Sequence, residues 1–331
     1  IDRMLIVTFT NAAAGEMRDR IRERLEEKLE EELEPGMMEH LQRQSALLQN
    51  AQISTIHSFC QYVIRNYFHT IDLDPDFRIA DDGEQKLLQS DVLEQLLEEK
   101  YAEKSEAFLY MVESIATGRD DRVLESTVLQ LYHFSMSFPW PQEWLDQCRR
   151  EYEAENVEIF LDMPWIAELV KVAKVQVGDL LQMIRRALKL CREEHGPYMY
   201  EEALQSDLDM LEQLRTPETY RELGNAIRSM GKWKTLSSKR DEQVDPQIRD
   251  TVKGIREEVK KNFTKIWDTY FYAPPEVLYE QMKRCRPMME QLLDLTKEFA
   301  DCYTQEKRKR NLCDFNDLEH LALQILIERK E

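Results

Sequence analysis

Between Pro164 and Glu194, apolar side chains fall at Val170, Ala173, Val177, Leu180, Ile184, Leu188 and Cys191, spaced mainly by threes and fours. That spacing puts them on one face of an α-helix and requires other helices to cover it, as in a bundle or coiled-coil seam. His195-Gly196-Pro197 ends the run, and His195 has no second metal-ligand residue at useful spacing. After Pro274-Pro275 a heptad-like set follows at Leu278, Met282, Cys285, Met289, Leu292, Phe299 and Cys302. It predicts one long helix packed antiparallel to its neighbours as an arm. Helical patterns also cover 84–101, 106–115, 121–136, 142–152, 198–214, 217–230 and 246–271. Pro139-Trp140-Pro141 is a rigid break, with Trp140 and Trp144 read as core packing. Only 9 Gly and 11 Pro in 331 residues agree with a mainly α chain.

The opening stretch has a different pattern. Met4 to Val7 form the continuous apolar run of a buried parallel strand, and Thr10 or Asn11 caps a helix that starts at Ala12-Ala13-Ala14. Apolar positions Met17, Ile21, Leu25, Leu29 and Leu33 continue that helix, opposite the acidic run Glu30-Glu31-Glu32, until Pro35-Gly36 ends it. A second helix over 37–48 leads to a strand near 51–54 and a third helix over 56–68. A polar loop therefore sits at the carboxyl edge of a sheet, where open α/β sheets bind ligands and a helix N-terminus can receive a phosphate oxygen. On spacing alone Phe9 is either part of an ordinary strand-to-helix turn, partly buried, or an exposed stacking face for an unpaired base. His57 is either a partly buried polar residue or a phosphate contact.

The run Thr8-Phe9-Thr10-Asn11-Ala12-Ala13-Ala14-Gly15-Glu16-Met17 resembles motif Ia of superfamily 1A helicases, the UvrD/Rep/PcrA group. Ile53-Ser54-Thr55-Ile56-His57-Ser58-Phe59-Cys60 resembles motif Ib, and Leu312-Cys313-Asp314-Phe315-Asn316-Asp317-Leu318 the segment that leads back into the motor core, with Asp314 as the cap of a last helix. Within that group the stretch from Ile53 to Asp81 is most similar to the AddA family of helicase–nuclease subunits. The resemblance implies a partial RecA-like α/β motor element at 1–81 and 312–331, enclosing a helical, domain 1B-like insertion at 82–311. It implies that Thr8, Phe9, Thr10 and Asn11 grip single-stranded DNA while Thr55, His57 and Ser58 hold its backbone. It also implies a parent protein that uses ATP and Mg²⁺, moves 3′ to 5′, degrades DNA as an exonuclease, and works with an AddB-like subunit on double-strand break ends for recombinational repair.

The formal charge of −19 opposes a generic nucleic-acid coat, because phosphate binding is driven by Lys and Arg. Between Arg221 and Lys265, however, 12 Lys/Arg stand against 7 Asp/Glu, a basic segment in an acidic chain. Inside it, 228–240 breaks helical periodicity and combines five cations with Trp233. Lys232, Trp233, Lys234, Lys239 and Arg240 form either a flexible duplex-contacting loop or a solvated charged one. Lys253, Arg256, Lys260 and Lys261 run along the next helix, and Lys307 to Arg310 form a second basic cluster, suited to a helix C-terminus and a further candidate DNA contact.

Several chemistries are excluded. No G-x-x-x-x-G-K-[ST] loop occurs, the lone Asp-Glu pair, Asp241-Glu242, does not end an apolar strand, and no H-E-x-x-H occurs, so this chain by itself is expected to be inactive as an ATPase. No nuclease centre, catalytic constellation or metal set is visible either. The six scattered cysteines contain no C-x-x-C pair and fit the reduced thiols of a cytoplasmic protein. No run of 18 apolar residues spans a membrane and no signal peptide is visible. The chain opens near a strand and closes at Glu328-Arg329-Lys330-Glu331 inside a helical pattern, as expected of a piece of a longer polypeptide. Two alternatives remain: a UvrD/PcrA-type repair helicase without a nuclease, and a non-enzymatic helical scaffold.

Overall fold

A computed structural model describes residues 1–31, 34–71, 73–116 and 120–327. Glu32 and Leu33 of the expected first helix and the helical pattern at 328–331 lie outside the described residues. The chain is mainly α, with two two-stranded parallel sheets. It divides into two compact units, 1–146 with 288–331, and 147–287.

The first unit opens with β1 (Leu5–Thr8), α1 (Asn11–Leu29), α2 (Pro35–Leu47), β2 (Gln52–Thr55) and α3 (Ile56–Tyr67). β1 and β2 are parallel, and Ala14, Leu48, Ala51 and Ile53 form a small core, with Ile6 and Ile21 against it. The expected burial of β1 does not hold: Leu5 and Val7 remain 50% and 45% exposed. Side chains alternate across a strand, so the face turned away from this core is uncovered. α1 stops at Leu29, with Met17 exposed, and Pro35 opens α2 where it was expected to end α1. Proline suits that first helical position because the N–H it lacks has no partner there.

β3 (Arg78–Ile79) leads into α4 (Asp82–Glu103), α5 (Glu106–Ile115) and α6 (Arg122–Ser135), and α7 (Pro141–Arg150) follows. These match the helical patterns to within a few residues. Trp140 and Trp144 are only half-buried, and Trp144 stacks on Phe138 at 4.7 Å.

The second unit contains α8 (Val157–Leu161), α9 (Pro164–Cys191), α10 (Glu201–Glu212), α11 (Tyr220–Ser229) and α12 (Pro246–Ile266), which runs into a π-helical turn at Trp267–Phe271. All seven predicted seam residues of α9 are buried, packed with Leu204, Leu211, Leu223, Val252 and Val259 from the neighbouring helices. His195 stops the chain in the left-handed region (φ 65°), and its ring Nδ1 lies 2.8 Å from Gln243 O. Gly196 is required here, since a Cβ would sit 2.2 Å from Leu190 O.

α13 (Pro275–Lys309) crosses from one unit to the other, with Pro287 inside it. A single heptad seam along it does not hold. Before Pro287, Leu278 and Met282 are half-buried in the second unit's core and Cys285 is exposed. After it, Leu292, Leu295, Phe299 and Tyr303 are buried with α4, α5 and α6. Two different cores claim the two halves, and the ring also removes one helical hydrogen bond between them.

β4 (Leu312–Cys313) pairs in parallel with β3, and α14 (Phe315–Leu326) ends the described chain. Asp314 caps α14 in a reciprocal box with Asp317: each backbone N–H donates to the other's carboxylate. α3 and α14 share a core of Cys60, Val63, Ile64, Leu318 and Ala322.

Candidate nucleic-acid interface

The parallel register of β1 and β2 sets Thr8 directly beside Thr55. The resemblance-derived segments therefore end side by side on one sheet edge, and each continues at once into a helix. Thr10 caps α1, its hydroxyl accepting from Ala13 N at 3.1 Å. Thr55 caps α3, accepting from Ser58 N at 3.2 Å and lying 2.8 Å from the Ser58 hydroxyl. Ser and Thr satisfy the first free N–H groups of a helix while leaving the others turned outward. Two helix N-termini, each the positive end of a dipole, thus flank one edge.

Phe9 sits at that edge and is 98% exposed. An apolar ring held almost wholly in water is unusual for packing, and the turn carrying it is fixed from both sides: Thr8 Oγ1 donates to Thr10 O at 3.0 Å, and Thr10 caps the helix. Asn11, the first residue of α1, is exposed. Arg18 ties the two segments together from behind, donating to Ile53 O at 2.8 Å. His57 is half-buried in the first turn of α3, with Nε2 3.3 Å from Glu319 Oε1 and its ring 4.9 Å from that of Phe315. The Glu319 charge also acts on buried Cys60, whose thiol is pushed up by burial first and by that carboxylate second. Arg18, Phe315 and Glu319 were missed in the sequence. The spacing of Phe315 and Glu319 places them on one face of a helix, but nothing local says that this face meets α3.

The basic segment lies in the second unit and, as expected, is irregular between α11 and α12. Trp233 is not exposed: it is half-buried against the helical core, edge-on to Phe263 at 5.7 Å. Lys232 and Arg240 are exposed, while Lys234 pairs with Glu202 at 3.2 Å and Lys239 Nζ donates to Tyr198 OH at 2.7 Å. Arg256 is not a surface cation either. It is 2% exposed, held by Asp207 (Nε to Oδ2, 2.5 Å), and donates to Lys234 O, which fastens the loop to α12. Lys307, likewise 2% exposed, bridges Asp314 and Asp317 at 2.8 and 2.6 Å; burial pushes the Asp317 carboxyl up and the Cys313 thiol up to about 12.

The family model of the UvrD/REP helicase N-terminal domain matches residues 1–331, the whole chain. The chain belongs to this family. Its similar relatives include proteins named as ATP-dependent helicase/nuclease subunits. That of Lachnoclostridium phytofermentans is 40% identical over all of this chain, those of Geobacillus kaustophilus and Clostridium botulinum 39% and 35% over 99% and 100% of it. The chain spans about a quarter of the length of these curated relatives, 24% to 26%. No helix among the described residues is long and apolar enough to cross a membrane.

Proposed function

We propose that this chain is the strand-gripping part of an ATP-dependent DNA helicase/nuclease. In this reading Thr8, Phe9, Thr10 and Asn11 bind one face of a single strand, Phe9 stacking on a base, while Thr55, His57 and Ser58 hold phosphates beside it. The observation that carries the reading is the Thr8–Thr55 register, which gives a fully exposed aromatic ring two helix N-termini as neighbours. Residues 1–81 and 312–331 act as the motor element and 82–311 as the inserted arm. Lys232, Lys234, Lys239 and Arg240 meet duplex DNA, and Trp233 anchors their loop to the core.

The complete polypeptide, by the names of its relatives, hydrolyses ATP. We assign it 3′ to 5′ movement, exonuclease action on double-strand break ends, a cytoplasmic location and an AddB-like partner. Nothing among the described residues is built to hold ATP or Mg²⁺: the sequence has no phosphate-cradling glycine loop, and no group of His, Cys, Asp or Glu converges on one point as ligands would.

Binding of a fluorescent oligothymidylate tests the reading. Phe9→Ala should weaken it by about tenfold, within the ~1–3 kcal/mol measured per stacked base, with an unchanged melting temperature because the ring packs on nothing. Unchanged affinity would favour a helical interaction scaffold.

A further inference from the structure

We propose that Phe315 is a second stacking face for single-stranded DNA, taking the base of another nucleotide of the strand that Phe9 holds. This rests on the reading of the Thr8–Thr55 edge as a strand-binding site. The two rings are linked through neighbouring elements. β1 and β2 lie side by side with Thr8 against Thr55, α3 runs on from β2, and α14 packs along α3 through Cys60, Ile64, Leu318 and Ala322. That packing brings the first turns of α3 and α14 together, so that the Phe315 ring lies 4.9 Å from that of His57, tilted by 58°. Phe315 is the first residue of α14 and is 44% exposed. A lone exposed apolar side chain is ordinary. Phe315 is set apart by its place: the buried face of α14 begins one turn later, at Leu318, and the ring stands outside that core beside a residue of the candidate edge.

The surroundings of Phe315 select the part of a nucleotide that fits there. At α1 and α3 hydroxyl caps leave free N–H groups for a phosphate. At α14 the cap is a carboxylate: Asp314 and Asp317 accept each other's N–H groups, and both are paired with buried Lys307. Glu319, half exposed one turn further on, adds another negative charge. A phosphate is repelled at this spot, whereas an uncharged base is not, and what the first turn of α14 offers outward is a ring face. Stacking on an aromatic ring is open to every base, which suits a strand of any sequence.

The competing role for Phe315 is support of His57 alone. Leucine would fill that role nearly as well, but it has no π-face for a base.

Oligothymidylate affinity separates the two roles in variants of this chain: Phe315→Ala, Phe315→Leu, Phe315→Trp and Phe9→Ala. We expect Phe315→Ala and Phe315→Leu each to weaken binding by about tenfold and Phe315→Trp to retain it. The losses of Phe315→Ala and Phe9→Ala should multiply in the double variant, because the rings take different bases. The melting temperature of Phe315→Leu should match that of the unsubstituted chain, which keeps the test open if Phe315→Ala folds poorly. Added oligothymidylate should also quench the emission of Phe315→Trp beyond any quenching of the unsubstituted chain, a readout that a merely structural ring would not give. Full affinity in Phe315→Leu, or no added quenching in Phe315→Trp, with Phe9→Ala still weakening binding, overturns the second stacking face and leaves the strand-binding edge standing. Unchanged binding in all variants overturns both.

Discussion

At the scale of single residues, two cations buried among the described residues, Arg256 and Lys307, carry large energetic consequences. Arg256 and Asp207 have both left water, at 2% and 0% exposure. Such a pair adds little over a well-packed apolar pair, yet removing one partner strands a charge. Arg256→Ala should therefore cost about 3–5 kcal/mol, read as a lower denaturant midpoint, whereas a paired Asp207→Leu/Arg256→Met replacement should recover most of it. Because Arg256 also holds Lys234 O, the single variant should release the basic segment to proteolysis at the same time. The caps at Thr10, read as either Thr10 or Asn11, and at Asp314 were legible in the sequence because capping is settled within three residues. Arg256, Trp233 and Lys307 were misread for the converse reason. Each looks like any surface cation or loop aromatic until its distant partner, Asp207, Phe263 or the Asp314–Asp317 box, is known.

At the scale of elements, periodicity was the reliable guide. The α9 seam was read correctly at all seven positions because helical spacing alone determines which residues share a face. It failed on α13, where the same spacing continues through Pro287 although the two halves pack into different cores. It failed on β1 as well, since an apolar run announces a strand and not the number of layers that cover it. The basic segment between α11 and α12 carries its own test. Replacing Lys232, Lys234, Lys239 and Arg240 by Ala should weaken duplex binding and flatten the slope of log affinity against log salt by roughly one for each phosphate no longer neutralised. Two of these cations already have protein partners, Glu202 and Tyr198, so a reduction near two is expected where four free lysines or arginines would give nearly four. An unchanged slope would remove the loop from the DNA site.

At the scale of the whole molecule, the two units differ in how the chain supplies them. The second unit is one continuous stretch, 147–287, with a single extensive helical core. Expressed alone, it should show helical circular dichroism and a cooperative melt, whereas 1–146 alone should lack both, being without the second half of α13, β4 and α14 that complete its cores. The pairing of β3 with β4 joins Arg78 to Leu312 across all the intervening sequence. During translation β3 leaves the ribosome long before its partner exists, and the second unit is complete before β4 is synthesised. The edge carrying Thr8 and Thr55 is encoded ahead of the whole second unit, whereas Glu319, whose Oε1 lies 3.3 Å from His57 Nε2, is encoded after it, so that contact can form only once the second unit has been synthesised.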